Sequence, residues 1–357
     1  MNYQKLNGEQ EDLVVPEENK LTLPMKIIVP MAGRGSRLRP HTLTVPKPLV
    51  PVGGKPIVHR LVEDIAKTSP EKIDEIAFVI GDFGKEVEEE LIRVAEKLGA
   101  KGKIFYQDKA LGTAHAVLCA AECLEGPVVV AFADTLFRAD FTLDTDADGI
   151  MWVKQIEDPS AFGVVKLDDD GVITDFVEKP QEFVSDLAMI GIYFFKDGGA
   201  LKGELQYLVD NGIIKSGEYQ LPDALKNLTK KGTRFKTGKV SERLDCGNKN
   251  VTVHTNQRVL EFDKDQDIVS DDVSLDNSVI IPPCYIGKNV RLKNAIVGPH
   301  VSLGAGTMVT DSVITNSIVQ NNAVINNSVL QDSMIGNHAK ILSHGKVISI
   351  GDYTTIE

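Results

Sequence analysis

The sequence predicts an α/β chain in two parts, a doubly wound sheet followed by a parallel β-helix. Three observations carry that prediction. Short, nearly continuous apolar runs alternate with helical patterns from Met25 to about Phe132. From about Val269, apolar residues recur every five or six positions. The chain has 357 residues, longer than one ordinary domain, so two domains are expected.

In the first part, KIIVPMA, EIAFVIG, GKIFYQ and PVVVAFA are short and β-branched, as strands covered on both faces are. Between them VHRLVEDIAK, KEVEEELIRVAEKLG and TAHAVLCAAECL have helical spacing. On the last of these, Cys119 and Cys123 are four apart and are expected to face one way. The βαβα order implies a Rossmann-like parallel sheet, whose ligands sit beyond the carboxyl ends of the strands. From about Gly149 to Phe195, GIMWVKQIE, GVVKL, VITDFVEK and MIGIYFF read as further strands, which makes the sheet mixed. EYQLPDALKNLTKKG then reads as a helix, TRFKTGKV as a strand, and NVTVHTNQRVLEF as a closing helix. This domain is placed at 25–265.

The second domain is placed at 266–357. Ile286, Leu292, Val297, Leu303, Val309, Ile314, Val319, Ile325, Leu330, Ile335 and Ile341 mark the period, with Gly, Asn, Asp and Ser between them. No helix repeats that way; it is the hexapeptide signal of a parallel β-helix of three to four coils.

The totals exclude several classes. A formal net charge of −12 argues against nucleic acid or a membrane surface as a partner. No run of about 18 apolar residues is present, so no membrane span is expected. Residues 1–24 are polar, lack the apolar core of a signal peptide, and read as a mobile extension. The four cysteines, at 119, 123, 246 and 284, form no C-x-x-C pair and read as buried, reduced thiols of a cytoplasmic protein.

Against that acidic background, GRGSRLRPHTLTVPKPLVPVGGKP (33–56) holds three Arg, two Lys and no acid. It follows the first strand. A dinucleotide fingerprint would need a third Gly where Leu38 stands, and a Walker loop would need Ser or Thr where Pro56 stands. Glycines here let backbone N–H groups approach an anion closely.

The string resembles the sugar-1-phosphate nucleotidylyltransferases, in Gly33, Gly35, Arg37, Leu38, Pro40 and Thr42, then Pro46-Lys47-Pro48-Leu49, Pro51-Val52 and Lys55-Pro56. The similarity runs to about Phe262, and several branches of that family carry a left-handed β-helix tail. The resemblance implies transfer of a nucleotidyl group from an NTP to a hexose 1-phosphate, with release of pyrophosphate. Arg37 would take the leaving phosphates and Lys47 the reacting centre, a division that suits a planar fork and a point charge. Asp134, after PVVVAFA, and Asp245, in RLDCGN, would hold one Mg²⁺. Mg²⁺ suits one or two carboxylates plus phosphate oxygens. The family's W-x-D-x-G string departs here to R-L-D-C-G.

The resemblance places the base at Gln107 with Leu111, Gly112 and Thr113, although Thr113 alone reads as a helix N-cap. A Gln amide can accept from a pyrimidine N3–H and donate to O4, so UTP or dTTP is expected; GTP remains open, as does a guanylyltransferase for mannose 1-phosphate. Gly163 and Glu178 would meet sugar hydroxyls, Lys179 the sugar phosphate, and Met189 to Tyr193 a pocket wall. Glucose 1-phosphate is the expected acceptor. Glu218 and Asp223 belong to the pattern without a fixed role.

Two rival functions carry other signatures. A silent regulatory relative would lack some of Arg37, Lys47, Asp134, Asp245 and Lys179, and all are present. An acyltransferase would draw a base from His300, His338 or His344, but no excursion loop is visible to build an acyl site. The β-helix is instead expected to join protomers into a homo-oligomer.

Overall fold

The structure is a computed structural model that describes residues 24–33, 35–266 and 268–342. The expected mobile extension falls outside these residues, Pro24 apart, as do Arg34 and His344.

The first domain runs β1 (Met25–Pro30), β2 (Pro51–Val52), β3 (Lys55–Pro56), α1 (Ile57–Thr68), β4 (Ile73–Ile80), α2 (Lys85–Lys97), β5 (Lys101–Tyr106), α3 (Thr113–Leu118) and β6 (Val128–Ala131). It continues through β7 (Thr135–Arg138), β8 (Gly149–Gln155), β9 (Gly163–Leu167), β10 (Ile173–Glu178), β11 (Leu187–Phe195), α4 (Gly198–Asp210), α5 (Leu221–Lys230), β12 (Phe235–Lys239), β13 (Glu242–Asp245) and α6 (Lys249–Phe262). The main sheet has the order β10-β9-β11-β6-β1-β4-β5, with β8 on β11 and β12 on β8. Strands β6, β1, β4 and β5 are parallel, and β11 enters antiparallel beside β6.

Alternation decides which way each side chain points. Met25, Ile27 and Val29 of β1 face a core shared with α1 and α2, which contribute Leu61, Ile65, Leu91 and Val94. Ile28 faces the opposite core, shared with α3, α4 and α5 through Val117, Leu201, Leu205 and Leu225. The chain leaves β1 toward β4 on one side and returns to β6 on the other. That reversal opens a crevice at the carboxyl ends of β1 and β6, the place where such sheets bind ligands.

Two features differ from the sequence reading. Helix α3 ends at Leu118 and a separate 3-10 turn covers Ala121–Cys123. Cys119 therefore lies near His115, at 3.7 Å, while Cys123 turns to Glu75. The short α3 breaks because its backbone turns at Ala120, which puts the two thiols on different neighbours. In addition α4, capped by the Asp197 side chain on the Ala200 N–H, stands where no element was assigned.

In the second domain every one of the eleven periodic residues lies in a strand. Strands β14 (Ser274–Asp276), β17 (Arg291–Lys293), β20 (Met308–Thr310), β23 (Val324–Asn326) and β26 (Lys340–Leu342) form one parallel sheet. A second holds β15 (Val279–Ile280), β18 (Ile296–Val297), β21 (Val313–Thr315) and β24 (Val329–Gln331). The third holds β16 (Cys284–Ile286), β19 (Val301–Leu303), β22 (Ile318–Val319) and β25 (Met334–Ile335). Three parallel sheets stacked this way are those of a left-handed β-helix. Leu275, Leu292, Val309, Ile325 and Ile341 fall in register, one per coil. The corners need a left-handed backbone, and Asn277, Asn294, Asp311 and Asn327 supply it with φ of 46, 48, 48 and 50°.

The β-helix is docked on the first domain. Buried Asn256 of α6 accepts from the Gly53 N–H at 2.8 Å and from the Ser302 hydroxyl at 2.7 Å. Ile318 and Met334 join the core of the first domain. His300 is bound to Glu261 of α6, so this candidate base serves as a bolt between domains.

Candidate active site

The crevice encloses about 620 Å³. Loops after β1 and β6 form its floor. Of the residues expected from the sequence, Gly33, Gly35, Arg37, Lys47, Gln107, Gly112, Thr113, Asp134, Gly163, Glu178 and Met189 line it. Leu111, Lys179 and Asp245 do not.

The basic loop is built around one contact. Gly35 has φ 57°, and a Cβ there would stand 2.8 Å from Lys47 Cβ. A side chain at 35 would thus push Lys47 away. Thr42 fixes the turn by donating its hydroxyl to the Gly35 carbonyl at 2.8 Å. Gly33 has open space around it, so bulk is not what requires glycine there. Lys47 opens a 3-10 turn between Pro46 and Pro48 and is 8% exposed. Its Nζ lies 3.7 Å from Asp134 Oδ2.

The antiparallel pairing of β7 and β13, with Thr135 opposite Asp245, brings the backbone at Asp245 beside that of Asp134. The Cys246 N–H donates to the Asp134 carbonyl at 3.1 Å, which sets the two acids one register step apart. Asp245 Oδ1 accepts from the Gly247 N–H at 2.6 Å, and Oδ2 lies 3.2 Å from Arg243 Nη2. Arg37 Nη2 is 3.9 Å from the Cβ position of Gly247, so it reaches the same corner. Burial pushes the neighbouring Cys246 thiol up to about 12, opposed by Lys47, which keeps it an inert wall. Burial also raises Tyr193, helped by Glu178 and Asp134.

The donor set fits a hard cation. Two carboxylates on adjacent strands offer oxygen ligands, and a phosphate would complete the shell. Among the described residues no cluster of three or more His, Cys, Asp or Glu could hold a metal alone.

At the far end, Gln107 Nε2 donates to the Gly112 carbonyl at 3.2 Å and meets His115 Nδ1 at 3.1 Å. Burial lowers the His115 pKa, which favours the neutral ring that can accept there. The Gln107 carbonyl oxygen, Oε1, is an acceptor that can serve a base N–H. Gly112 has φ 106°, and a Cβ on it would strike the Tyr219 carbonyl at 2.5 Å. Gly112, not Thr113, is the N-cap of α3; the Thr113 hydroxyl accepts from the Leu221 N–H at 3.0 Å. Leu111 acts through its carbonyl, which accepts from the Tyr219 N–H. These bonds tie the base segment to EYQLPDAL and bring Glu218 to the cavity wall. Asp223 instead pairs with Lys215.

Gly163 pairs with Glu178 across β9 and β10. A Cβ on Gly163 would lie 2.6 Å from both Glu178 Oε2 and Met189 Cε, so a side chain there would have to displace the ends of both. Lys179, with φ 44°, is exposed, and its backbone N–H donates to the Phe162 carbonyl. The strand β10 ends one residue before it, and its side chain is not part of the lining. Arg243, not singled out from the sequence, lines the cavity instead. The available signal was its place two residues before Asp245 on one strand, hence on the same face.

The sequence matches the nucleotidyl transferase family over residues 26–260. It is 30% identical over 318 residues to a glucose-1-phosphate thymidylyltransferase of Streptomyces antibioticus, covering 81% of this chain and 85% of that one. It is 31% identical over 266 residues to the low-salt glycan biosynthesis nucleotidyltransferase Agl11 of Haloferax volcanii, covering 71% and 72%. The fold is similar to that of a UDP-glucose pyrophosphorylase solved with UDP-glucose, with a TM-score of 0.55 and 23% identity over 67% of this chain and 100% of that one. With the matched segment spanning the whole sheet and the crevice at its strand ends, the chain belongs to the nucleotidyl transferase family, among its sugar-1-phosphate enzymes.

Proposed function

We propose that this protein transfers a nucleotidyl group from dTTP or UTP to glucose 1-phosphate and releases pyrophosphate. The observation that carries the reading is the contact of Lys47 with Asp134 at the strand-order reversal, beside a Gly35 that leaves room for Lys47, with Asp245 one register step along the neighbouring strand. The similarity to glucose-1-phosphate thymidylyltransferases supports the choice of acceptor.

A phosphate oxygen of the sugar phosphate attacks the α-phosphorus in line. The bond from the α-phosphorus to the bridging oxygen breaks, and pyrophosphate leaves with that oxygen. Such a reaction asks the protein for position and charge more than for covalent chemistry. Lys47, held short of solvent by its prolines, meets the charge developing at the α-phosphate. Arg37 offers its fork to the leaving group. Gln107 Oε1 accepts from N3–H of the base, and Glu178 accepts from sugar hydroxyls. Asp134 and Asp245 would hold Mg²⁺, which neutralises the phosphates when bound.

The β-helix supports assembly in this reading. Val279, Ile296, Val313 and Val329 form an in-register outward column, and Val279, Ile296 and Val329 are 56, 43 and 80% exposed. The four cysteines are free, as in a reduced cytoplasmic setting.

Pyrophosphate release from UTP, dTTP, GTP, CTP and ATP against several sugar 1-phosphates tests the reading. Release is expected with dTTP or UTP and glucose 1-phosphate; silence across the matrix would refute it.

A further inference from the structure

Three cations line the cavity among the described residues: Arg37, Lys47 and Arg243. The first two lie on the basic loop beside the carboxylate pair. Arg243 has no role in the reading above. It stands on β13, and its guanidinium carbon is 4.8 Å from the Phe162 ring centroid. Phe162 precedes Gly163, the residue that closes the wall with Glu178 and Met189. Arg243 thus bridges the sugar wall and Asp245.

Its hydrogen bonding is incomplete. Nη2 reaches Asp245 Oδ2 at 3.2 Å, yet Nε is shut from solvent with no acceptor among the described residues. A guanidinium has five N–H donors and no way to lose its charge, so an unfilled edge beside a polar cavity asks for an anion. The face against Phe162 is covered, which leaves the planar edge to present. Lys179 is exposed and is not among the residues lining this cavity.

We propose that Arg243 binds the phosphate of the sugar 1-phosphate from the cavity wall, a contact the sequence did not assign to it. This rests on the nucleotidyl-transfer reading. The fork holds a phosphate between the sugar wall and the carboxylate pair, the place from which its oxygen must attack. Stacking on Phe162 fixes the plane of the fork, so Lys at 243 would keep the charge and lose the orientation.

The test compares Arg243→Leu and Arg243→Lys with the unaltered protein. KM is measured separately for glucose 1-phosphate, for dTTP and for Mg²⁺, and binding of glucose 1-phosphate is followed by calorimetry with and without nucleotide. Arg243→Leu should raise KM for glucose 1-phosphate roughly 10- to 100-fold, as loss of a charge-assisted contact does. KM for dTTP and for Mg²⁺ should stay within about twofold, a range too small to count as a lost contact. Arg243→Lys should recover part of the loss. An unchanged KM for glucose 1-phosphate would overturn the proposal. So would a parallel rise for Mg²⁺, because Arg243 would then act only by holding Asp245. If the unaltered protein releases no pyrophosphate but binds glucose 1-phosphate in an Arg243-dependent way, the catalytic reading falls and the Arg243 site stands.

Discussion

The two halves of this molecule solve opposite problems. In the β-helix each coil rests on the one 16 or 17 residues before it, so a residue's partners follow from the period: Ile280 lies on Val297, which lies on Ile314. Asn277, Asn294 and Asp311 repeat the rule on the surface, each amide donating to the next corner at 2.9 and 2.8 Å. In the catalytic half nothing repeats, and the site draws on segments from Gly33 to Gly247. Repetition stabilises a shape; convergence makes chemistry. Damage in the first half should therefore remove turnover without unfolding, and damage in the second should do the reverse.

The largest expected effect is Asp134→Asn. Its side chain is 51% exposed, so the fold should survive. The amide cannot serve as an anionic ligand, and kcat should fall by roughly 10²–10³-fold, the scale of losing one preorganised charge contact. Steady-state kinetics beside a melting curve checks both halves of the statement. Gly35→Ala comes next. The added methyl meets Lys47 Cβ at 2.8 Å in a left-handed backbone, so kcat should drop by about tenfold or more with a Tm change small beside it.

Ile314→Ala reverses the pattern. Ile314 is fully buried in the β-helix, and its truncation should cost about 2–5 kcal/mol. Denaturant unfolding would show that loss, while turnover of the folded fraction stays near that of the unaltered protein. A fall in kcat equal to that of Gly35→Ala would break the comparison.

Acid should also separate the halves. Burial lowers the pKa of His41, His59 and His115, all in the catalytic half, from the ordinary 6.5. The unfolded chain then binds protons first, so stability present above pH 6.5 is lost as pH falls below it. Amide exchange at pH 7 and at pH 5.5 should show earlier opening of the catalytic half; uniform opening would contradict this. The smallest effect belongs to Lys55→Ala. Lys55 pairs with Glu63 at the surface, 41% and 32% exposed, and lies off the cavity lining. Its loss should change stability by less than about 1 kcal/mol and leave kcat in place.

Legibility followed the same divide. The β-helix was readable residue by residue because one period specifies fold and pairing together. The sheet was readable from its buried strands, and the basic loop from its motif. The ribbon of β7 and β13 was not: each strand has four residues, too few to show a period. That ribbon carries Asp245 and Arg243, so Arg243, which lines the cavity, was not singled out, and Asp245 was named only through the motif. The backbone at Lys179 was unreadable for a related reason. A motif names a residue, but φ at that residue decides which way the chain turns, and φ 44° is not written in the letters E-K-P. The seam between domains was equally hidden, because Asn256 on a helix reads as solvent-facing until Gly53 and Ser302 are brought to it.

The central claim is that the crevice drives attack on the α-phosphorus. Two labelled nucleotides test it directly: dTTP or UTP carrying radioactive phosphorus at the α or at the γ position, each incubated with glucose 1-phosphate and Mg²⁺. The account predicts α label in the nucleotide sugar, γ label in pyrophosphate, and neither product with Asp134→Asn. Gamma label on the sugar, or release of orthophosphate in place of pyrophosphate, would contradict it.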